Sequence, residues 1–104
     1  MNQAEHTPNS DILRLLAKRL KDYRLAARMS QKELAEKSGV SQTTISHFEQ
    51  GVNRNLTLGN FISLLRVLGL EQRVVEVMPE LPMSPMALRK IEKLIPKRVR
   101  RSKL

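Results

Sequence analysis

Two short helical patterns, MSQKELAEKS and SQTTISHFEQ, stand back to back in residues 29–50, with only Gly39 and Val40 between them. No other feature of the chain limits its fold so strongly. Ser30-Gln31-Lys32-Glu33 has the form of a capping box, in which the serine hydroxyl accepts from the Glu33 amide and Glu33 reaches back. Leu34 and Ala35 give that helix a buried side. Gly39 ends it at a position where positive φ strains any side chain. Ser41 then caps the next helix, and Gly51 stops it.

The second of these helices is oddly made. Gln42, Thr43, Thr44 and Ser46 crowd its first turns, and the apolar residues are only Ile45 and Phe48. Ile45 and Phe48, with Val40 from the turn, are expected to hold the helix on the core. Its polar face is then left free. Two short helices joined by a tight glycine turn make a helix-turn-helix, whose second helix can lie in a DNA major groove while the first crosses the backbone. Gln42 is long enough for a bidentate contact with adenine, and the Thr43 methyl suits a thymine methyl. Ser46 and His47 lie one turn on. His47 fits solvent or phosphate as readily as a base.

The remaining chain also reads as helix, so the expected fold class is all-α. Ser10 is the expected N-cap of a first helix running to about Arg28, with Ile12, Leu13, Leu15, Leu16, Leu20 and Tyr23 at three- and four-residue steps. Thr57 caps a further helix, with Leu58, Phe61, Ile62, Leu65 and Leu68 on one face and Gly69 at its end. Residues 71–78 fit either a fifth helix or a short strand, because Val74, Val75 and Val77 are β-branched. Residues 79–85, PELPMSP, are a linker that prolines keep out of helix. Ser84-Pro85 opens a last helix to about Ile95, with Met83, Ala87, Ile91, Leu94 and Ile95 as an apolar stripe. The expected division is a flexible segment 1–9, a domain 10–78 and a basic extension 79–104.

The charge is uneven. The net charge is +9, yet residues 1–85 hold 11 basic and 9 acidic side chains, and residues 86–104 hold 8 basic and 1 acidic. Such a tail, with Arg98, Arg100 and Arg101, points to a polyanion, reached at the phosphate backbone or the minor groove. The 104 residues hold no cysteine, which excludes disulfides and thiolate metal sites. His6 and His47 alone make no metal site. There is no Gly-rich phosphate loop and no nucleophile elbow, so no enzyme activity and no cofactor are expected. Three aromatic residues are too few for base-stacking on single strands. No apolar run reaches membrane-spanning length, and MNQAEHTPN lacks the marks of a signal peptide, so a cytoplasmic location is expected.

The stretch MSQKELAEKSGVSQTTISHFEQG, supported by LTLGNFISLLRVLGL at 56–70, resembles the Cro/CI-type (XRE) helix-turn-helix regulators. The resemblance covers about residues 11–70. It implies a five-helix DNA-binding domain, usually a homodimer on a two-fold operator of double-stranded DNA, acting as a repressor. By position it implies base reading by Gln42, Thr43, Ser46 and His47. It implies backbone contacts by Gln31, Ser41, Thr44, Gln50, Asn53 and Arg54, and a structural ion pair between Arg24 and Glu49. Residues 74–78 are the candidate dimer contact, as helix or as a strand paired across the two-fold. The Pro-linked basic extension also resembles antitoxins of the HipA-kinase type, which implies a toxin protein as an alternative partner.

Overall fold

The computed structural model describes residues 7–52, 55–82 and 84–94. It is all-helical there, with α1 (Asn9–Ala26), α2 (Gln31–Ser38), α3 (Gln42–Gln50), α4 (Leu58–Val67), α5 (Glu71–Val75) and α6 (Pro85–Leu94). α2 packs on both α3 and α4, α1 packs on α3, and α5 packs on α4. The 71–78 stretch is therefore helix through Val75 and not a strand, because the short α5 closes directly on α4, with Val74 half-buried and Val75 exposed.

The core forms where the helices meet. Ala17 and Leu20 from α1, Leu34 from α2, Val40 from the turn, Ile45 and Phe48 from α3, and Leu64 from α4 make one cluster. Leu34, Ile45 and Leu64 are fully out of water. Each buried side chain of this size contributes roughly 1.5–3 kcal/mol.

The local chemistry explains where the central helices begin and end. The Glu33 amide donates to Ser30 Oγ at 3.0 Å, and the Ser30 amide donates to Glu33 Oε1 at 3.0 Å. The Thr44 amide donates to Ser41 Oγ at 3.0 Å, and the Asn60 amide donates to Thr57 Oγ1 at 3.1 Å. Gly39 and Gly51 take φ of 81° and 80° at the ends of α2 and α3. Ser30→Ala is expected to cost about 1 kcal/mol, read as a lower urea midpoint at unchanged slope. An unchanged midpoint would mean that the box does not stabilise α2.

Several sequence expectations shift. α1 starts at Asn9 with Pro8 as its N-cap, and Ser10 makes no cap because it already lies inside the first turn. The same helix stops at Ala26, short of Arg28. Arg28 takes φ 58°, and the Met29 amide turns back to the Arg24 carbonyl, so the chain leaves the helix there. The apolar stripe of α1 is displaced: Ile12, Leu15 and Tyr23 are exposed, while Ala17 and Leu20 are buried. In α4, Leu58 is exposed and Leu64 takes the innermost place. In α6, Met86 and Leu94 are exposed and Ile91 is half-buried; Met83 and Ile95 lie outside the described residues.

Candidate nucleic-acid interface

α3 is held from beneath by apolar contact and at its end by charge. Ile45 and Phe48 face inward, at 0 % and 2 % exposure. Beside them, Glu49 turns its carboxylate into the junction of α1, α2 and α3. Arg24 Nε donates to Glu49 Oε2 and Arg24 Nη2 donates to Glu49 Oε1, both at 2.9 Å, a two-pronged pair of fixed geometry. Arg24 Nη1 donates to the Met29 carbonyl at 2.9 Å, and Gln31 Nε2 donates to Glu49 Oε1 at 3.0 Å. One carboxylate thus joins the last turn of α1, the first residue of α2 and the last turn of α3.

Both charged side chains of this fork are nearly out of water, Arg24 7 % and Glu49 2 % exposed. The hydrogen bonds to Glu49 hold the guanidinium above its ordinary pKa, against the opposing effect of burial. A folded-state value raised above the unfolded one gives stability at every pH below the unfolded value. The contribution of Arg24 is therefore constant through neutrality and is lost only in strong alkali.

The opposite side of α3 faces water. At about 100° per residue, Thr43, Ser46, His47 and Gln50 fall on the side away from Ile45 and Phe48. Gln42, Thr43, His47 and Gln50 are exposed, and Ser46 is half-buried. Gln50 Nε2 donates to Ser46 Oγ at 3.1 Å. The Ser41 hydroxyl donates to Thr44 Oγ1 at 2.7 Å, so Ser41 and Thr44 are engaged with each other as well as in the cap. Gln31 is half-buried, with an amide hydrogen on Glu49. The structure gathers Gln42, Thr43, Ser46, His47 and Gln50 on one helix, and places Gln31 at its last turn through Glu49.

This is the arrangement that a groove-reading helix requires: a seat that does not depend on the outward face. A family model of helix-turn-helix proteins matches residues 20–71, half of the chain. The chain belongs to the Cro/CI-type helix-turn-helix family. The match spans the end of α1, all of α2, α3 and α4, and the start of α5. Neither the curated proteins nor the solved structures yield a match. The helix-turn-helix domain is a DNA-binding regulator module, and α2 and α3 are its paired motif helices.

Gln50, for which the resemblance implies a backbone contact, is the last residue of α3 and lies by its helical angle on the outward face with Thr43 and Ser46. The signal was available in the three- and four-residue spacing 43, 46, 47, 50. Asn53, Arg54, Arg98, Arg100 and Arg101 lie outside the described residues. No cluster of three or more His, Cys, Asp or Glu close enough to hold a metal occurs among the described residues, and no helix there is long and apolar enough to cross a membrane.

Proposed function

We propose that the protein is a sequence-specific repressor that binds an inverted-repeat operator as a homodimer, without catalytic activity or cofactor. The observation that carries this reading is the outward polar face of α3, mounted on Phe48, Ile45 and the Arg24–Glu49 fork. Each copy places residues 42–47 in one major groove. A two-fold pair then reads half-sites about one helical turn apart. Gln42, Thr43, Ser46 and His47 supply base contacts. Gln31, Ser41, Thr44, Gln50, Asn53 and Arg54 supply contacts to the sugar–phosphate backbone, and Gln50 is close enough to Ser46 to assist it at the base edges. Residues 79–104 form a separate basic extension in this reading, and Arg98, Arg100 and Arg101 add salt-sensitive affinity with little sequence choice. Nothing in the fold favours the antitoxin alternative.

The test is selection of bound duplexes from a random pool by the full chain and by residues 1–84, which keep the segment after α5 and lack α6 and the basic tail, at two salt concentrations. An inverted repeat recovered by both is the expected result, with the full chain more sensitive to salt. Recovery of no enriched sequence by either would end the specific-regulator reading.

Gln42→Ala is expected to relax choice at one base pair per half-site, by about 1–3 kcal/mol. Titrating the variant against a panel of single-base operator variants checks it. An unchanged affinity profile across the panel would remove Gln42 from the reading set.

A further inference from the structure

A groove of about 360 Å³ opens between α1 and the corner formed by α4 and α5. That volume lies in the range of specific binding clefts. Leu20 and Leu65 give it apolar walls, Tyr23 and Phe61 give it aromatic ones, and the cations Arg19 and Arg73 also line it. Arg19 is exposed and has no ion pair among the described residues. The groove is on the α1–α4 side of the domain, built by residues that take no part in the outward face of α3. An occupant should be apolar, slender and acidic.

The chain itself contains such a segment. Directly after α5 it runs Glu76-Val77-Met78-Pro79-Glu80-Leu81-Pro82. Two carboxylates and no basic side chain stand here, in a protein of net charge +9. Val77, Met78 and Leu81 are 74 %, 84 % and 60 % exposed, so three apolar side chains are left in water side by side. Residues 79–82 are neither helix nor strand, and two prolines three apart favour the extended polyproline conformation. Aromatic-lined grooves take segments of that shape at little entropic cost. The Met78 thioether also suits the rings of Tyr23 and Phe61.

We infer that this groove is the seat for the 76–82 strap of a second copy of the chain, and that two copies exchange straps about a two-fold axis. The inference rests on the homodimer reading above and says where that dimer closes. The strap begins three residues after Arg73, which lines the groove, and on its own chain residues 76–81 stand exposed while the groove stays open. Reciprocal exchange fills both grooves at once and leaves a closed pair with no further valence. Glu80 of the second copy meets Arg19. Glu76 of the second copy meets Arg73, whose present partner is Glu76 of its own chain at 3.5 Å. That local pair is exposed on both sides and weak enough to be traded.

Charge reversal in the full chain tests this, with dimer dissociation followed by sedimentation equilibrium. Arg19→Glu sets a carboxylate against Glu80. Glu80→Arg sets two cations together. Both positions are exposed, and a thermal melt of each variant is the control for intact folding. Each variant alone is expected to dissociate about tenfold more readily than the unaltered chain, or more, because like charges then face each other in both grooves. Mixing the two is expected to restore a heterodimer of near-original affinity. Each groove of the mixed pair again holds one cation and one carboxylate, in reversed order in one groove and in the original order in the other.

Two results would overturn the strap while leaving the dimer reading in place. Single variants that dimerise like the unaltered chain would put the contact elsewhere. Weakened variants that fail to rescue each other on mixing would mean that the strap does not seat in a second copy. An unaltered chain that stays monomeric at tens of micromolar, with and without operator DNA, would end the dimer reading itself.

Discussion

Glu49→Ala is expected to lower the free energy of unfolding by about 3–5 kcal/mol, because it leaves the buried Arg24 guanidinium without its counter-charge. The effect exceeds that of an ordinary surface ion pair for two reasons. Both side chains are nearly out of water, so neither is rehydrated when the other is removed. Glu49 also serves Gln31, so a second donor loses its acceptor. Urea unfolding of the variant beside the unaltered protein gives the number. A domain of this size has about 5–15 kcal/mol in all, so the variant stands near the edge of folding. The double variant Arg24→Met/Glu49→Leu is expected to recover much of the loss, since a buried pair can be exchanged for apolar contact of similar volume. A loss under about 1 kcal/mol for Glu49→Ala would show that the fork is solvated and its geometry incidental.

Phe48→Ala is expected to cost about as much, about 3–5 kcal/mol, by a different route. Phe48 is 2 % exposed and packs in the cluster that includes Leu34, Ile45 and Leu64. Removing the ring leaves a cavity that the neighbouring helices can close only by moving α3. The expected readouts are a lower urea midpoint and, under conditions where the variant remains folded, weaker binding to an otherwise unchanged operator preference. A shifted preference at full stability would contradict the view that Phe48 seats the helix without reading DNA. Phe48 and Glu49 are neighbours on the same helix, so the combined variant is expected to deviate from the sum of the two losses.

The central motif was legible because its signals are local. A serine three residues before a glutamate, a threonine or serine at a helix start, and a glycine at a helix end each act within one turn. The structure shows the bonds at Ser30, Ser41 and Thr57 and the positive φ at Gly39 and Gly51. Ile45, Phe48 and Val40 were also readable, since so few apolar residues occur between 38 and 51 that each has one place to go. The leucine-rich helices were harder. In α1, apolar residues occur on more than one side, and periodicity cannot say that Ile12, Leu15 and Tyr23 face outward while Ala17 and Leu20 face the core. In α4, the adjacent Leu64 and Leu65 are both buried, and the count from Leu58 passes over Leu64. Valine content left 71–78 open to strand until packing on α4 decided for helix. That Glu49 also accepts from Gln31 follows from the crossing of α2 and α3 and from no spacing in the sequence.

The way α3 is mounted separates two kinds of inheritance. The core contacts and the ion pair that seat the helix lie on one side or at its last turn: Ile45, Phe48 and the carboxylate of Glu49. Thr43, Ser46, His47 and Gln50 lie on the other, where surface replacements ordinarily change stability by less than about 0.5 kcal/mol. Under the base-reading role proposed above, a lineage carrying this domain could rewrite the address it binds one letter at a time, with each intermediate still folded. The socket and the key are cut from the same nine residues, but they wear independently.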